Sequence, residues 1–196
     1  YLVDDCSQAH GAIDDSDSLK RKIGSTSDIS CFSLYPGKNL GAYGDAGIIT
    51  TNNKKIYQII RKLRNLGSEK KFIHEYVGQN SRLDTIQAII LNEKIKYLDQ
   101  NNHKRILIAA KYKKKINNVK IQKLEYSKSC VYHQYVILVK DRHKFMEFMS
   151  KNGIQTGIHY PESINKLKCF QNFFKKQKYL NSELIARHCV SLPIDP

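Results

Sequence analysis

Lys38 stands in the run Ser33-Leu34-Tyr35-Pro36-Gly37-Lys38-Asn39-Leu40-Gly41-Ala42-Tyr43-Gly44-Asp45, and upstream an acid pair, Asp4-Asp5, closes the apolar start Leu2-Val3. A lysine in a glycine-rich turn, a hydroxyl close by at Ser33 and a carboxylate on a separate strand make a set with a definite chemical use. The amine can condense with an aldehyde, the hydroxyl can bind phosphate, and the carboxylate can keep a pyridine nitrogen protonated. Those are the requirements of pyridoxal 5'-phosphate (PLP) chemistry. Each residue also has a plain alternative: a surface lysine, a strand serine, a strand-end acid. The elements that must position them therefore matter.

Leu2-Val3 predicts the end of a buried strand, and residues 29–34 predict a second with Ser33 near its end. In open α/β sheets ligand-binding groups collect at the carboxyl ends of strands, which suits Asp5 and Ser33. Between them Asp14-Asp15-Ser16-Asp17-Ser18 predicts a surface loop. Gly41, Gly44 and Gly47 punctuate the turn after Lys38, and residues 46–51 predict a strand returning through the core. Asn52 or Asn53 is placed to cap a helix carrying Ile56, Ile59, Ile60 and Leu63 at helical spacing, stopped by Gly67.

Residues 68–79 lack periodicity and predict a long loop. Asp84 is placed to cap the next helix, with Ile86, Ile89, Ile90, Glu93 and Tyr97 on one face and Leu91, Ile95 and Leu98 widening the apolar stripe. A further helix is expected from about His103 to Lys115. The character then changes. Residues 131–139 predict a strand, 141–151 a helix closed by Asn152-Gly153, and 154–158 a short strand. The expected fold class is α/β, with one domain over 1–115 and a small α/β domain over 116–196.

The chain has 196 residues, 41% of them hydrophobic, enough to bury a sizeable core. It opens on Tyr1 directly in a strand-like segment, which suggests a piece of a longer protein. The formal charge of +15 invites a nucleic-acid reading. Only 7 of the 33 basic residues are arginine, however, and the lysines are scattered rather than interleaved with aromatics. The densest run, Lys111-Tyr112-Lys113-Lys114-Lys115, suits a solvated helix end, so no nucleic-acid partner is expected. Five cysteines, with no Cys-x-x-Cys pair, argue against a disulfide framework or zinc site and for a reducing, cytoplasmic setting. His133 and His159 lack a third ligand pattern, so no metal is expected. No apolar run reaches membrane-spanning length.

The motifs Asp5-x-x-Gln8-Ala9-His10-Gly11, Ser33-x-Tyr35-Pro36-x-Lys38-Asn39-Leu40-Gly41 with Gly44-Asp45-x-Gly47, and Gly78-x-Asn80-x-Arg82-Leu83-Asp84 occur in that order. Tyr132-His133-x-Tyr135-Val136, Gly153-Ile154-x-Thr156-Gly157-Ile158-His159-Tyr160-Pro161 and Ser191-Leu192-Pro193 follow. Each is moderately specific; their ordered combination resembles the DegT/DnrJ/EryC1/StrS sugar aminotransferases over essentially the whole chain.

The resemblance implies a fold-type-I PLP enzyme that moves an amino group from an amino acid, commonly L-glutamate, to a keto group of a nucleotide-linked deoxysugar. It implies that this chain is roughly the C-terminal half, with part of the large-domain sheet and its helices plus a small C-terminal α/β domain. It assigns Lys38 as the Schiff-base residue and proton shuttle, Asp5 as partner of the pyridine nitrogen, and Gln8 as a contact of the cofactor's phenolic oxygen. Ser33 and Asn80 become phosphate ligands, Asn80 reaching the neighbouring subunit's cofactor, which implies a homodimer. Arg82, His159 and Tyr160 become substrate-binding residues.

Two departures stand out: Gly37 occupies a position where many relatives carry Thr or Ser, and Gln79 replaces a common Tyr. PLP-dependent sugar dehydratases of the same fold replace the lysine, so Lys38 favours transamination. The competing readings are an inactive or partner-dependent fragment of such an enzyme and, from another class, a basic nucleic-acid-binding module.

Overall fold

The computed structural model describes residues 1–16, 18–174 and 177–196. Asp17 of the expected acidic loop lies outside them. The described chain forms two compact units, Tyr1–Lys104 with Lys128–His133, and Arg105–Ser127 with Gln134–Pro196. The sequence suggested a change of character near residue 116; the division between the units runs through one long helix, and six residues of the later chain belong to the first unit.

In the first unit, β1 (Val3–Asp5) pairs in parallel with β2 (Ile29–Ser33), and β2 pairs antiparallel with β3 (Gly47–Thr50). The sheet order is β1-β2-β3, so β2 is central and the other two are edges. That order explains a difference from expectation. Val3 is 59% exposed and Ile48 50% exposed, although their types predict burial. Strand propensity is satisfied by β-branched side chains on a pleat whether or not a further strand covers them.

Helix α1 (Lys54–Leu63) starts at Asn53, whose Oδ1 accepts from the backbone N–H of Lys55 and Ile56. Residues 68–79 are not wholly irregular: β4 (Ser68–Lys70) and β5 (Ile73–His74) form a short hairpin there. Helix α2 (Thr85–Lys94) runs through a 3-10 turn at Ile95–Tyr97 into α3 (Leu98–Lys115), which begins five residues before the start inferred from the sequence.

Asp84 precedes α2 but makes no side-chain cap bond. The predicted stripe is apolar around more than one side, and the side that packs carries Leu91 and Leu98, leaving Ile86 65% exposed. Leu91 and Leu98 join Leu34, Leu40 and Ala42 in one buried cluster, with Ala46 and Leu83 against it. Fully burying a leucine contributes roughly 1.5–3 kcal/mol, so this cluster is what ties the segment after β2 to the helices.

In the second unit, β6 (Ile121–Lys123), β7 (Tyr135–Val139) and β8 (Cys189–Leu192) form an antiparallel sheet with β7 in the centre. Helix α4 (Arg142–Lys151) packs on it and ends at Asn152 and Gly153, whose φ of +73° suits glycine. Short α5 (Gln171–Phe174) and then α6 (Leu180–His188) precede β8. Ile137, Val190 and Cys189 are fully buried. The strand expected over 131–139 begins at Tyr135, because 128–133 belong to the first unit. The strand expected over 154–158 is reduced to a single bridge, Gly157 to Ser191.

Candidate active site

The first unit brings the ends of β1 and β2 side by side. Asp5 closes β1 opposite Cys31, and β2 runs two residues further to Ser33. Beyond Ser33 the chain turns through residues 35–42. Lys38 N–H donates to the Tyr35 carbonyl at 2.9 Å and Ala42 N–H to the Leu34 carbonyl at 2.8 Å. Buried Leu40 and Ala42 anchor this loop from below. From the helices, Lys94 Nζ donates to the Gly41 carbonyl at 2.5 Å, and Gln87 Oε1 accepts from Tyr43 N–H at 2.8 Å. The loop is thus held by packing on one side and directional bonds on the other, and half-buried Lys38 sits on a braced support.

Asp5 Oδ1 accepts two bonds from Ser7, the hydroxyl at 2.5 Å and the backbone N–H at 3.0 Å. These bonds hold the carboxyl below its ordinary range, the hydroxyl contributing most and the positive charge of Lys38 adding to them; partial desolvation opposes. Asp5 is exposed, and hydrogen bonds rather than burial keep it ionised. Asp5 Oδ2 has no protein partner among the described residues.

His10 is 3% exposed and stacks obliquely on Phe32 at 5.3 Å between ring centroids. Its two ring nitrogens have no hydrogen-bond partner among the described residues. A contact to the Ser33 backbone that acts to raise its proton affinity is too poor in geometry to count as a hydrogen bond. Burial, with Lys38's charge adding, pushes the imidazole below its usual pKa. Lys38 therefore acts electrostatically on both Asp5 and His10.

The other inferred residues are distributed differently. Gln8 is exposed in the turn after Asp5. Ser33 Oγ, at the end of β2, accepts weakly from Tyr35 N–H at 3.4 Å. Asn80 and Arg82 gather around Asn65: Asn80 bridges Asn65 through the backbone, and Arg82 Nη1 donates to Asn65 Oδ1 at 2.8 Å. Arg82 also lines a cavity of about 780 Å³ with Arg61, Arg64, Phe32, Ile48 and Tyr57. His159 and Tyr160 are exposed in the second unit, where His159 Nδ1 lies 2.8 Å from Ser191 Oγ.

Sequence reasoning gave no role to Asn39 or Asn102, although both make buried or half-buried bonds in the first unit. The available signal was an asparagine one turn after Leu98 on the buried stripe of a helix, a place where polar side chains need a specific partner.

The fold of this α/β chain is that of the fold-type-I PLP-dependent sugar aminotransferases. The family model described as the DegT/DnrJ/EryC1/StrS aminotransferase family matches residues 1–196, and the chain belongs to that family.

Among its relatives, a dTDP-3-amino-3,6-dideoxy-alpha-D-galactopyranose transaminase of Aneurinibacillus thermoaerophilus is 42% identical over 100% of this chain and 53% of its own length. The crystal structure of Streptomyces venezuelae DesV superposes with a TM-score of 0.92 at 34% identity, covering 100% of this chain and 53% of DesV. Bacillus subtilis NtdA, solved with the PMP form of the cofactor, has a TM-score of 0.77 at 30% identity over 87% of this chain and 42% of its own. This chain spans about half the length of the curated relatives it matches. Among the described residues no helix is long and apolar enough to cross a membrane.

Proposed function

We propose that this chain carries the lysine-bearing part of a PLP-dependent aminotransferase. It moves an amino group from an amino acid, commonly L-glutamate, to a keto group of a nucleotide-linked deoxysugar, in the making of amino sugars for a surface polysaccharide or glycosylated product. The observation that carries the reading is Lys38, held on a braced loop with its charge acting on the ionised Asp5. The donor set fits the cofactor. Asp5 offers an ionised oxygen with no protein partner, suited to a pyridinium N–H, and Lys38 Nζ makes no hydrogen bond or ion pair among the described residues.

When bound, PLP supplies the electron sink that lets the amino-bearing carbon lose its proton. Lys38 Nζ would hold the cofactor and, as a neutral amine, would accept and return that proton. Asp5 keeps the pyridine nitrogen protonated and Ser7 keeps Asp5 ionised. Gln8 contacts the phenolic oxygen, Ser33 and Asn80 hold phosphate, and Arg82, His159 and Tyr160 contact the nucleotide sugar. In this reading Asn80 serves the site of a second copy, so the working form is a homodimer. The free cysteines fit a cytoplasmic setting.

The test is a half-reaction. PLP-loaded chain given L-glutamate should release one equivalent of 2-oxoglutarate, and Lys38→Ala should release none. Equal release from both would overturn the reading.

A second reading, a chain active only with a complementary polypeptide, is favoured by the exposed apolar residues on both sheet edges and by relatives of twice the length. It predicts PLP capture at Lys38 without release of 2-oxoglutarate.

A further inference from the structure

Asn102 is 5% exposed, and its side-chain amide is bonded at both ends. Nδ2 donates to the His10 carbonyl at 2.8 Å, and Oδ1 accepts from Asn39 Nδ2 at 2.9 Å. Asn39 is held in turn: its Nδ2 also donates to the Val131 carbonyl at 3.1 Å, and its Oδ1 lies 3.2 Å from His133 Nδ1. The partners of Asn102 are informative. Asn39 follows Lys38 directly, and His10 belongs to the turn that begins at Asp5. Gly11 makes the approach possible, since a Cβ there would stand 2.8 Å from Asn102 Nδ2.

We propose that Asn102 is a positioning residue whose amide, bonded at once to the His10 carbonyl and to Asn39, fixes the turn carrying Asp5 against the loop carrying Lys38. The inference rests on the functional reading of those two residues given above. Burial of Leu40 and Ala42 holds the loop to the core, but hydrophobic contact is non-directional and tolerates sliding. A two-ended amide in a buried site does not, because displacement strands a polar group away from water. Placement of reacting groups to within about an ångström changes rates by about a hundredfold, so such a fixture has a use here that general stability alone does not demand.

The test uses the full chain and two variants. Asn102→Leu, of similar size, removes both bonds; Asn102→Asp keeps an acceptor for Asn39 and removes the donor to His10. In hydrogen exchange of the cofactor-free chain, the amides of Ala9 and Ala12 and those of Lys38 and Ala42 should speed up together in Asn102→Leu, by about tenfold, as expected when a local unit loosens without global unfolding. The strand Tyr135–Val139 should keep its protection. Asn102→Asp should loosen the 9–12 segment more than the Lys38 loop. At a temperature where circular dichroism shows both proteins folded, PLP with borohydride should label Lys38 about tenfold less selectively over other lysines in Asn102→Leu than in wild type, the loss expected from misplacement of a reacting group.

Unchanged exchange in either segment, a uniform rise across both units, or undiminished Lys38 labelling would overturn the proposal. If wild type itself shows no preference for Lys38, the functional reading fails, and exchange alone decides the clamp. Should Asn102→Leu not fold, faster exchange of residues 9–12 in Asn102→Asp and of the Lys38 loop in Asn39→Ala decide in its place, and unchanged exchange in either would overturn the proposal.

Discussion

Asp5 lies in register with Cys31 across the parallel β1–β2 pair, so the strand ending in the acid stops two residues short of Ser33, on the strand that leads to Lys38. That stagger sets the ends of both strands on one side of the sheet, where Lys38's charge reaches the carboxylate. Parallel pairing does this without side-chain design, because both strands run toward the same edge.

Ser7 governs the ionisation of Asp5. Ser7→Ala removes the hydroxyl bond and leaves the N–H, so the Asp5 pKa should rise toward its ordinary value, as read by carboxyl-carbon NMR titration. A depressed carboxylate pKa adds stability above the unfolded-state pKa, lost as pH falls through the folded one. Because Asp5 is exposed, the variant should lose less than about 1 kcal/mol of stability. Asp5→Asn should abolish amino transfer and leave the fold, as read by product release beside circular dichroism.

His10 makes the first unit acid-sensitive. Its folded pKa is lowered from 6.5, mainly by burial, so below that pH the unfolded chain binds a proton that the folded chain refuses. Stability should fall as pH drops from 6.5 toward the folded value and then level off. In urea unfolding between neutral and mildly acidic pH, His10→Leu should lose that part of the slope. An unchanged slope would remove His10 as its cause.

Gly11 and Gly153 separate backbone strain from crowding. Both have positive φ, +81° and +73°, but a Cβ at Gly11 meets Asn102, whereas among the described residues nothing lies within 4 Å of one at Gly153. Gly153→Ala should cost about 1 kcal/mol, the strain alone. Gly11→Ala should cost about 2–3 kcal/mol, with the Asn102 amide displaced as well. Thermal unfolding of the two variants gives the comparison.

Caps give a second contrast. Asn53→Ala should destabilise by about 1 kcal/mol, because its Oδ1 serves two N–H groups at the start of α1. Asp84→Ala at the start of α2 should change stability by less than about 0.5 kcal/mol, since Asp84 makes no cap bond. Chemical denaturation of both proteins checks the difference.

Much of the local structure around the candidate site was legible in the sequence because turns and caps are written in residue type. The glycines after Lys38, the strand ending at Asp5 and the Asn53 cap follow from local chemistry. What depends on non-local partners was not legible. Val3 and Ile48 read as buried, yet among the described residues they lie on strands with one neighbour each. Ile86 and Leu91 read as one broad stripe, and only packing against Leu34 and Leu40 decides which is covered. Arg82 was expected to contact substrate, and nothing local told that Asn65, seventeen residues earlier, accepts its bond. Asn102 drew no role, lying just before the helix expected from about His103, and its bonds to residues 63 and 92 positions away have no local trace.

The proposed function requires that one lysine among many be placed for the cofactor. The chain, mixed with PLP, reduced with borohydride and digested, should carry the pyridoxyl group on the peptide containing Lys38, and Lys38→Ala should carry no dominant label. Label spread over the surface lysines in proportion to exposure, with Lys38 no more modified than Lys111 or Lys113, would contradict the account.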